Sequence, residues 1–557
     1  MRVCNGESDP GSTAQKIPMK KRLFKQPGGR QWVEDTLAGM SIEEQVAQLL
    51  IPSFGHDYAR FETIINFHKS HGLGGVFVNW STPENHVKHL VELQKARAVP
   101  LVVAADLECG AGSVVQGGVQ FPDLLALAAA DEEECAYTVG KAAALEGRRV
   151  GIHWTYAPVV DVNRNPDNPV TCTRSLGDDT ERVIRLGRAM IRGLQDHGLA
   201  ACMKHFPGDG MDDLDQHVST SVNSLSIADW WRISGRAFRE VMEADPWSAM
   251  IGHIAFPARD PERDRRGAYR PATLSRRIIT DLLRGELGYD GLVVSDAMHM
   301  GGVCGYMNRR DRTIAVIASG CDMLLFPELP EDYETLVEAV SKGILSRERL
   351  AEAVQRVLEM KVRLGLHEGA LFGREATAEE IRVFHATSRH IAEKAVHKAR
   401  DIENLLPLHD LAPGARVLTI TLSSVGADLP EVDEALRRRG FEVSHRLNPE
   451  DSEPMLFKTL SQYDAVFVNF VFKAAPGTNS VRSVGWQNRT FYGGWYMDHP
   501  RAVFTSFGSP YHLRVFNTLP NYINVHSDCR DSQRAAVAAW FGEIPMRDHG
   551  PVANLVR

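Results

Sequence analysis

Lys204-His205-Phe206-Pro207-Gly208, followed in a polar loop by Asp215 and His217, gathers residue types that move protons. An Asp-x-His pair lets a carboxylate orient an imidazole and raise its basicity, and in an extended loop residues i and i+2 point the same way. Such an imidazole gives and takes protons near neutral pH. Further along, Gly291-Leu-Val-Val-Ser-Asp296 ends an apolar run on an acid. A proton-donating imidazole and an anionic carboxylate form the pair that displacement through a covalent intermediate needs.

These side chains have to be held by a scaffold. Between residues 30 and 400 short apolar runs alternate with longer helical patterns. Eight runs read as buried parallel strands, at 48–53, 75–79, 101–106, 152–158, 201–206, 248–254, 291–296 and 322–326. Their Val, Ile, Leu and Ala content lacks polar alternation, as expected where both faces are covered. Amphipathic stretches at 83–97, 131–149, 178–197, 226–244 and 273–286 lie between them, with Ser226 and Thr273 as candidate N-caps. This pattern predicts α/β structure, a (β/α)₈ TIM-type barrel over 30–395; a doubly wound open sheet is the rival. Asp106, His205, His253 and Asp296 fall at or just beyond strand C-terminal ends, the face where barrels place chemistry.

After residue 396 a second unit is expected, a smaller α/β three-layer sandwich over 396–557. Its strands are read at 417–422, 441–444, 465–470, 502–507 and 522–526, and its helices at 429–439, 511–518 and 531–541. A long loop at 472–500 carries Gly477, Trp486, Tyr492, Trp495 and Tyr496, and long aromatic loops are more often functional than plain connectors. Residues 1–29 read as a flexible N-terminal tail, with Lys20-Lys21-Arg22 as a solvated basic cluster.

Composition narrows the field. With 557 residues and 43% apolar content the chain can bury more than one core, and a net charge of −8 with mixed signs recommends no nucleic-acid surface. No span reaches the roughly 18 apolar residues of a membrane helix, and no signal-peptide core is present. The eight cysteines lack paired spacing, which points to a reducing, cytoplasmic setting and to neither a disulfide framework nor a zinc site. The first strand end has no His-x-His pair of the kind that metal-dependent barrel hydrolases use, so neither metal nor cofactor is expected. Composition leaves the oligomeric state unread.

Taken together, Lys204-His205-Phe206-Pro207-Gly208, the Asp215/His217 pair and Ser295-Asp296-Ala-Met resemble glycoside hydrolase family 3, in its bacterial β-N-acetylglucosaminidase-like branch. Gly72-Leu-Gly-Gly-Val-Phe, Ala104-Ala-Asp106-Leu-Glu108-Cys-Gly, Ala157-Pro-Val-Val-Asp161-Val-Asn163, Arg174-Ser-Leu-Gly177 and Phe507-Gly-Ser-Pro-Tyr511 extend the match along the chain. The resemblance implies a retaining exo-glycosidase releasing terminal β-linked N-acetylglucosamine from a small carbohydrate substrate. Asp296 would be the nucleophile and His217, backed by Asp215, the acid/base. Asp106, Arg174, Lys204 and His205 would hold sugar hydroxyls, and His253 would line the same pocket. Two departures stand out: Asp209 where the family motif has histidine, and Glu108-Cys109-Gly110-Ala111 where it has Glu-Gly-Gly-Arg.

Other readings of the same residues are a β-glucosidase or β-xylosidase, a phosphorolytic variant, and a non-catalytic carbohydrate-binding relative. Alone, Asp296 fits a helix cap and His217 a surface histidine. His253 fits a core histidine as readily as a ligand. Asp161 and Asn163 fit loop supports, Trp486, Trp495 and Tyr496 a lid core, and Glu108 a partner of Arg174.

Overall fold

The computed structural model describes residues 28–449, 460–553 and 555–556. Of the N-terminal tail expected at 1–29, residues 1–27 and their basic cluster therefore lie outside the described residues.

Each of the eight apolar runs contains a strand: β1 Leu50–Ile51, β2 Gly75–Phe77, β3 Val102–Ala105, β4 Trp154–Thr155, β5 Cys202–Phe206, β7 Ser248–Ile251, β9 Leu292–Ala297 and β10 Met323–Leu325. Every residue of these eight is buried, which accounts for their unalternating sequence. Two short strands, β6 Ser221–Val222 and β8 Ile254–Ala255, pair beside them. One parallel sheet runs β1-β10-β9-β7-β5 and another β2-β3-β4. Parallel bridges Ser53 to Phe77 and Trp154 to Ala200 link the two sheets at both ends.

One face of these strands packs Ile51, Val102, Cys202, Met250, Val294 and Leu325 into a core of its own; the other joins a larger core shared with the helices. Helices Glu133–Arg149 and Thr180–Gln195 cross so closely that glycine is required. A Cβ at Gly193 would lie 2.1 Å from the Tyr137 carbonyl oxygen, and one at Gly140 would lie 2.4 Å from that of Met190. Ser226 caps Ile227–Arg232 by accepting the Asp229 N–H. Thr273 does not cap; it sits in the short turn Ala272–Leu274, and helix Arg277–Glu286 begins beyond it.

The remaining chain forms a six-stranded sheet from β11 His397–Asp401, β12 Arg416–Ser423, β13 Glu442–Leu447, β14 Ala465–Val471, β15 Ala502–Ser506 and β16 Asn521–Asn524. Its order is β11-β16-β15-β14-β12-β13, parallel except where β11 meets β16. Val417, Phe467 and Val503 pack under helices Pro430–Arg438 and Arg530–Trp540. On the opposite face Leu418, Val468 and Phe504 pack against Trp495, Tyr496 and Leu513. The order reverses between β12 and β14, the kind of switch point that opens a crevice at strand carboxyl ends. The segment leaving β14 there runs directly to the first unit's cavity.

Candidate active site

A cavity of about 560 Å³ opens at the carboxyl ends of the first unit's strands. Asp106, Glu108, Arg174, Lys204, His205, His217 and Asp296 line it, so seven residues that the sequence placed on separate strands and loops meet in one place.

Four of them form one ionic cluster. Arg174 embraces Glu108 with two hydrogen bonds, Nη2 to Oε1 at 2.6 Å and Nε to Oε2 at 3.1 Å. Lys204 Nζ lies 2.6 Å from Glu108 Oε1 and donates to Asp106 Oδ1 at 3.2 Å. Burial would raise the Glu108 carboxyl, but the Arg174 and Lys204 charges outweigh it and hold the group well below the usual range. The Arg174 and Lys204 cations are correspondingly strengthened against the burial that opposes them. Donors anchored this way can meet a polar ligand in the cavity without reorganising.

His205 is fixed from behind. Its Nδ1 lies 2.7 Å from Asp161 Oδ2, and its backbone N–H donates to both oxygens of that fully buried carboxylate. Asp161 also accepts the Asp209 N–H at 2.7 Å. Asp209, the departure from the motif, is itself buried and accepts from Asn168, the Gly210 N–H and Gln216. Burial, together with the neighbouring Asp161 charge, pushes its carboxyl up to about 6. It ties down the loop that carries the Asp-x-His pair.

That pair is made. His217 Nδ1 lies 2.6 Å from Asp215 Oδ1, and the His217 N–H donates to the same oxygen at 2.9 Å. The other carboxylate oxygen accepts the Gly477 N–H at 3.1 Å, while the Asp215 N–H donates to Asn479 Oδ1 at 3.2 Å. Asp215 is fully buried; burial alone would raise its carboxyl, but His217 and the Gly477 amide hold it below the ordinary value. With Nδ1 occupied, His217 keeps Nε2 for the cavity. The loop 472–500 thus reaches the site through Ala474, Ala475 and Pro476, which line it, and through Gly477 and Asn479. Its aromatic residues do not line the cavity: Trp495 and Tyr496 are core, while Trp486 and Tyr492 are exposed.

Asp296 lies at the end of β9, only 8% exposed, with Oδ1 accepting the Ala297 N–H at 2.8 Å. Burial raises a carboxyl, but His205, His253, the Ala297 amide and His217 together hold this one below its usual value. A buried carboxylate kept anionic, sharing a cavity with an oriented imidazole, is equipped for nucleophilic displacement with proton transfer.

His253 corrects the expectation that it lines the pocket. It is completely buried, with Nδ1 2.9 Å from Thr273 Oγ1 and Nε2 3.0 Å from the Ala297 carbonyl oxygen. Both ring nitrogens are engaged, Nδ1 with the turn Ala272–Leu274 and Nε2 with the end of β9, which leaves none for a ligand. Sequence reading missed His56, Trp80, Asp123, His299 and Phe326, which also line the cavity. His299 stacks on Phe326 with ring centres 5.4 Å apart. Position just past a strand's carboxyl end was the available signal for Trp80, His299 and Phe326. Among the described residues, Glu132, Cys135 and His390 bring three metal-type donor atoms within 4.8 Å of one another, and none of the three lines the cavity.

Comparison with known proteins places this geometry. Residues 41–360 match the glycosyl hydrolase family 3 N terminal domain. A β-N-acetylglucosaminidase/β-glucosidase of Cellulomonas fimi is 31% identical over 549 residues, covering 94% of this chain and 96% of that protein. β-Hexosaminidase A of Pseudoalteromonas piscicida is 29% identical over 349 residues, 57% of this chain and 56% of its own length. Among solved structures, the β-glucoside phosphorylase BglX superposes with a TM-score of 0.85 at 29% identity, covering 95% of this chain and 97% of that one. A family 3 β-N-acetylglucosaminidase from Paenibacillus sp. str. FPU-7 gives 0.80 at 26%, covering 92% and 99%. The chain, matched along most of its length and carrying these residues in one cavity, belongs to glycosyl hydrolase family 3.

Proposed function

We propose that the chain is a retaining exo-acting glycosidase that releases terminal β-linked N-acetylglucosamine through a covalent glycosyl-aspartate intermediate. Asp296 attacks the anomeric carbon, and His217 protonates the departing oxygen from Nε2, then takes a proton from the incoming water at the same atom. Asp215 fixes the tautomer and offsets the imidazolium charge. Asp106, Arg174, Lys204 and His205 hold the hydroxyls of the terminal sugar. On this reading the eight parallel strands of residues 30–395 close as a (β/α)₈ barrel, and 396–557 form the α/β sandwich that completes the site. The single observation that carries the proposal is the 2.6 Å contact between Asp215 and His217 Nδ1, which leaves Nε2 to the cavity that His217 shares with Asp296. The seven cysteines among the described residues are all free, in keeping with a reducing cytoplasmic setting.

A second reading has support from the likeness to a β-glucoside phosphorylase. An imidazole base repels an incoming anion less than a carboxylate does, so phosphate competes with water for the glycosyl-enzyme. Release of nitrophenol from aryl β-N-acetylglucosaminide and aryl β-glucoside, each with and without phosphate, separates the readings. Preference for the amino sugar supports the proposal, and a phosphate-dependent sugar 1-phosphate makes the enzyme a phosphorylase. Preference for glucoside moves the substrate, and turnover of neither favours a binding protein.

A further inference from the structure

Asp123 stands immediately before helix Leu124–Ala130, where an aspartate ordinarily accepts a hydrogen bond from the first-turn amides. It makes no such bond. The residue is instead one of those lining the cavity. Oδ1 has the Cys109 thiol at 3.9 Å, a weak donor, and Oδ2 is buried with no hydrogen-bond partner. A buried carboxyl oxygen left unsatisfied, on a residue that has given up its cap, carries a cost that a purely structural role does not explain.

The second unit could have supplied a partner and does not. Lys473, just beyond β14, spends its ammonium on both oxygens of Asp528, just beyond β16, at 2.8 and 2.7 Å. Lys473, Asp528, Glu108 and Arg174 are the charged neighbours of Asp123, whereas those of Asp296 are His205, His253 and His217. Asp123 therefore sits beside Glu108 and Arg174, the residues read above as holding the sugar. Burial raises its carboxyl, Lys473 and Arg174 oppose this, Asp528 and Glu108 add to it, and the group comes to rest at about 7. A carboxyl of that kind both accepts and donates, which matches a neutral hydroxyl.

We propose that Asp123 is a substrate-binding residue whose carboxyl takes the hydrogen bonds of a hydroxyl on the non-reducing side of the terminal sugar. The proposal rests on the glycosidase reading above and deepens it.

Kinetics of Asp123→Ala and Asp123→Asn on aryl β-N-acetylglucosaminide and aryl β-glucoside test it, with melting curves to confirm folding. Asp123→Ala is expected to lower kcat/KM roughly 10- to 100-fold, chiefly through KM, and Asp123→Asn, which keeps an acceptor oxygen, less. A kcat/KM for Asp123→Ala within twofold of wild type overturns the proposal. A fall confined to kcat overturns it too. If wild type turns over neither glycoside, the glycosidase reading fails by itself. Asp123 is then judged by thermal shift with N-acetylglucosamine and glucose. A sugar that stabilises wild type and not Asp123→Ala keeps the site, while equal stabilisation, or none in either protein, removes it.

Discussion

At Asp296 and His217 single side chains have separable expected effects. Asp296→Ala removes the carboxylate at the end of β9 and is expected to lower kcat by roughly four orders of magnitude or more, with an unchanged melting transition. His217→Ala leaves the nucleophile intact. It is expected to cost roughly 10²- to 10⁴-fold on alkyl glycosides and much less on nitrophenyl glycosides, whose leaving groups need no proton. Equal loss on both substrates takes His217 out of the acid role. The pH profile follows from the charges around Asp296. Its folded pKa is depressed, so the carboxylate persists below the ordinary aspartate value of about 3.9 and activity is lost only as pH falls through that lower value. An Asp296-dependent acid limb of kcat/KM at pH 5 to 6 contradicts this. Much of this scale was legible in the sequence, because Asp215, His217 and Asp296 owe their places to short-range spacing and strand ends. His253 was not. Its fate is decided by Thr273 and the Ala297 carbonyl, two partners that local pattern does not connect to it.

Among elements, the loop beyond β14 is the piece most open to test. Asn479 and Gly477 grip Asp215, and Arg482 pairs with Asp167 to pin the loop on the first unit. Asn479→Ala is expected to lower kcat about two- to tenfold with KM within a factor of two, the effect being larger on poor leaving groups because Asn479 acts through His217. A uniform loss across leaving groups makes its role structural only. The strands were readable because burial on both faces leaves an apolar signature. β11 was not: His397-Lys-Ala-Arg-Asp401 is mostly polar, and only pairing with β16 makes it a strand. The helix read at 226–244 breaks at Ile233, whose φ of −113° and ψ of −93° lie outside the helical region. The helix expected at 511–518 shrinks to His512–Arg514.

For the molecule as a whole, residues from both units meet at one cavity. Arg547 donates to the Ala129 carbonyl at 2.6 Å and Arg182 to that of Pro551 at 2.9 Å, which adds struts between the units to the Asp215 contacts. A fragment ending at residue 395 is expected to lose at least the activity that His217→Ala loses, even where it folds; kinetics beside circular dichroism decide. Stability has its own pH signature. Lys361 is fully buried with Gln48 Oε1 as its partner, and burial pushes its ammonium down to about 7. The unfolded lysine titrates near 10.4, so between these values the unfolded chain binds more protons and stability rises with pH, by up to roughly 1.4 kcal/mol per unit. Lys361→Met is expected to remove that rise, measured by urea unfolding at pH 7 and pH 9.5. A difference between the two proteins that stays constant with pH rules the explanation out.

The grip on both oxygens of Asp215 has a chemical consequence of its own. With Nδ1 engaged by Asp215, the proposed mechanism has a single nitrogen serve departure and arrival, so whatever attacks the glycosyl-enzyme must enter where the aglycone left. An alcohol seated there is activated as water is. At high concentrations of glycerol or methanol the enzyme should build new glycosides in place of free sugar, with retained anomeric configuration, and the yield should follow how well the acceptor fits the space vacated by the leaving group.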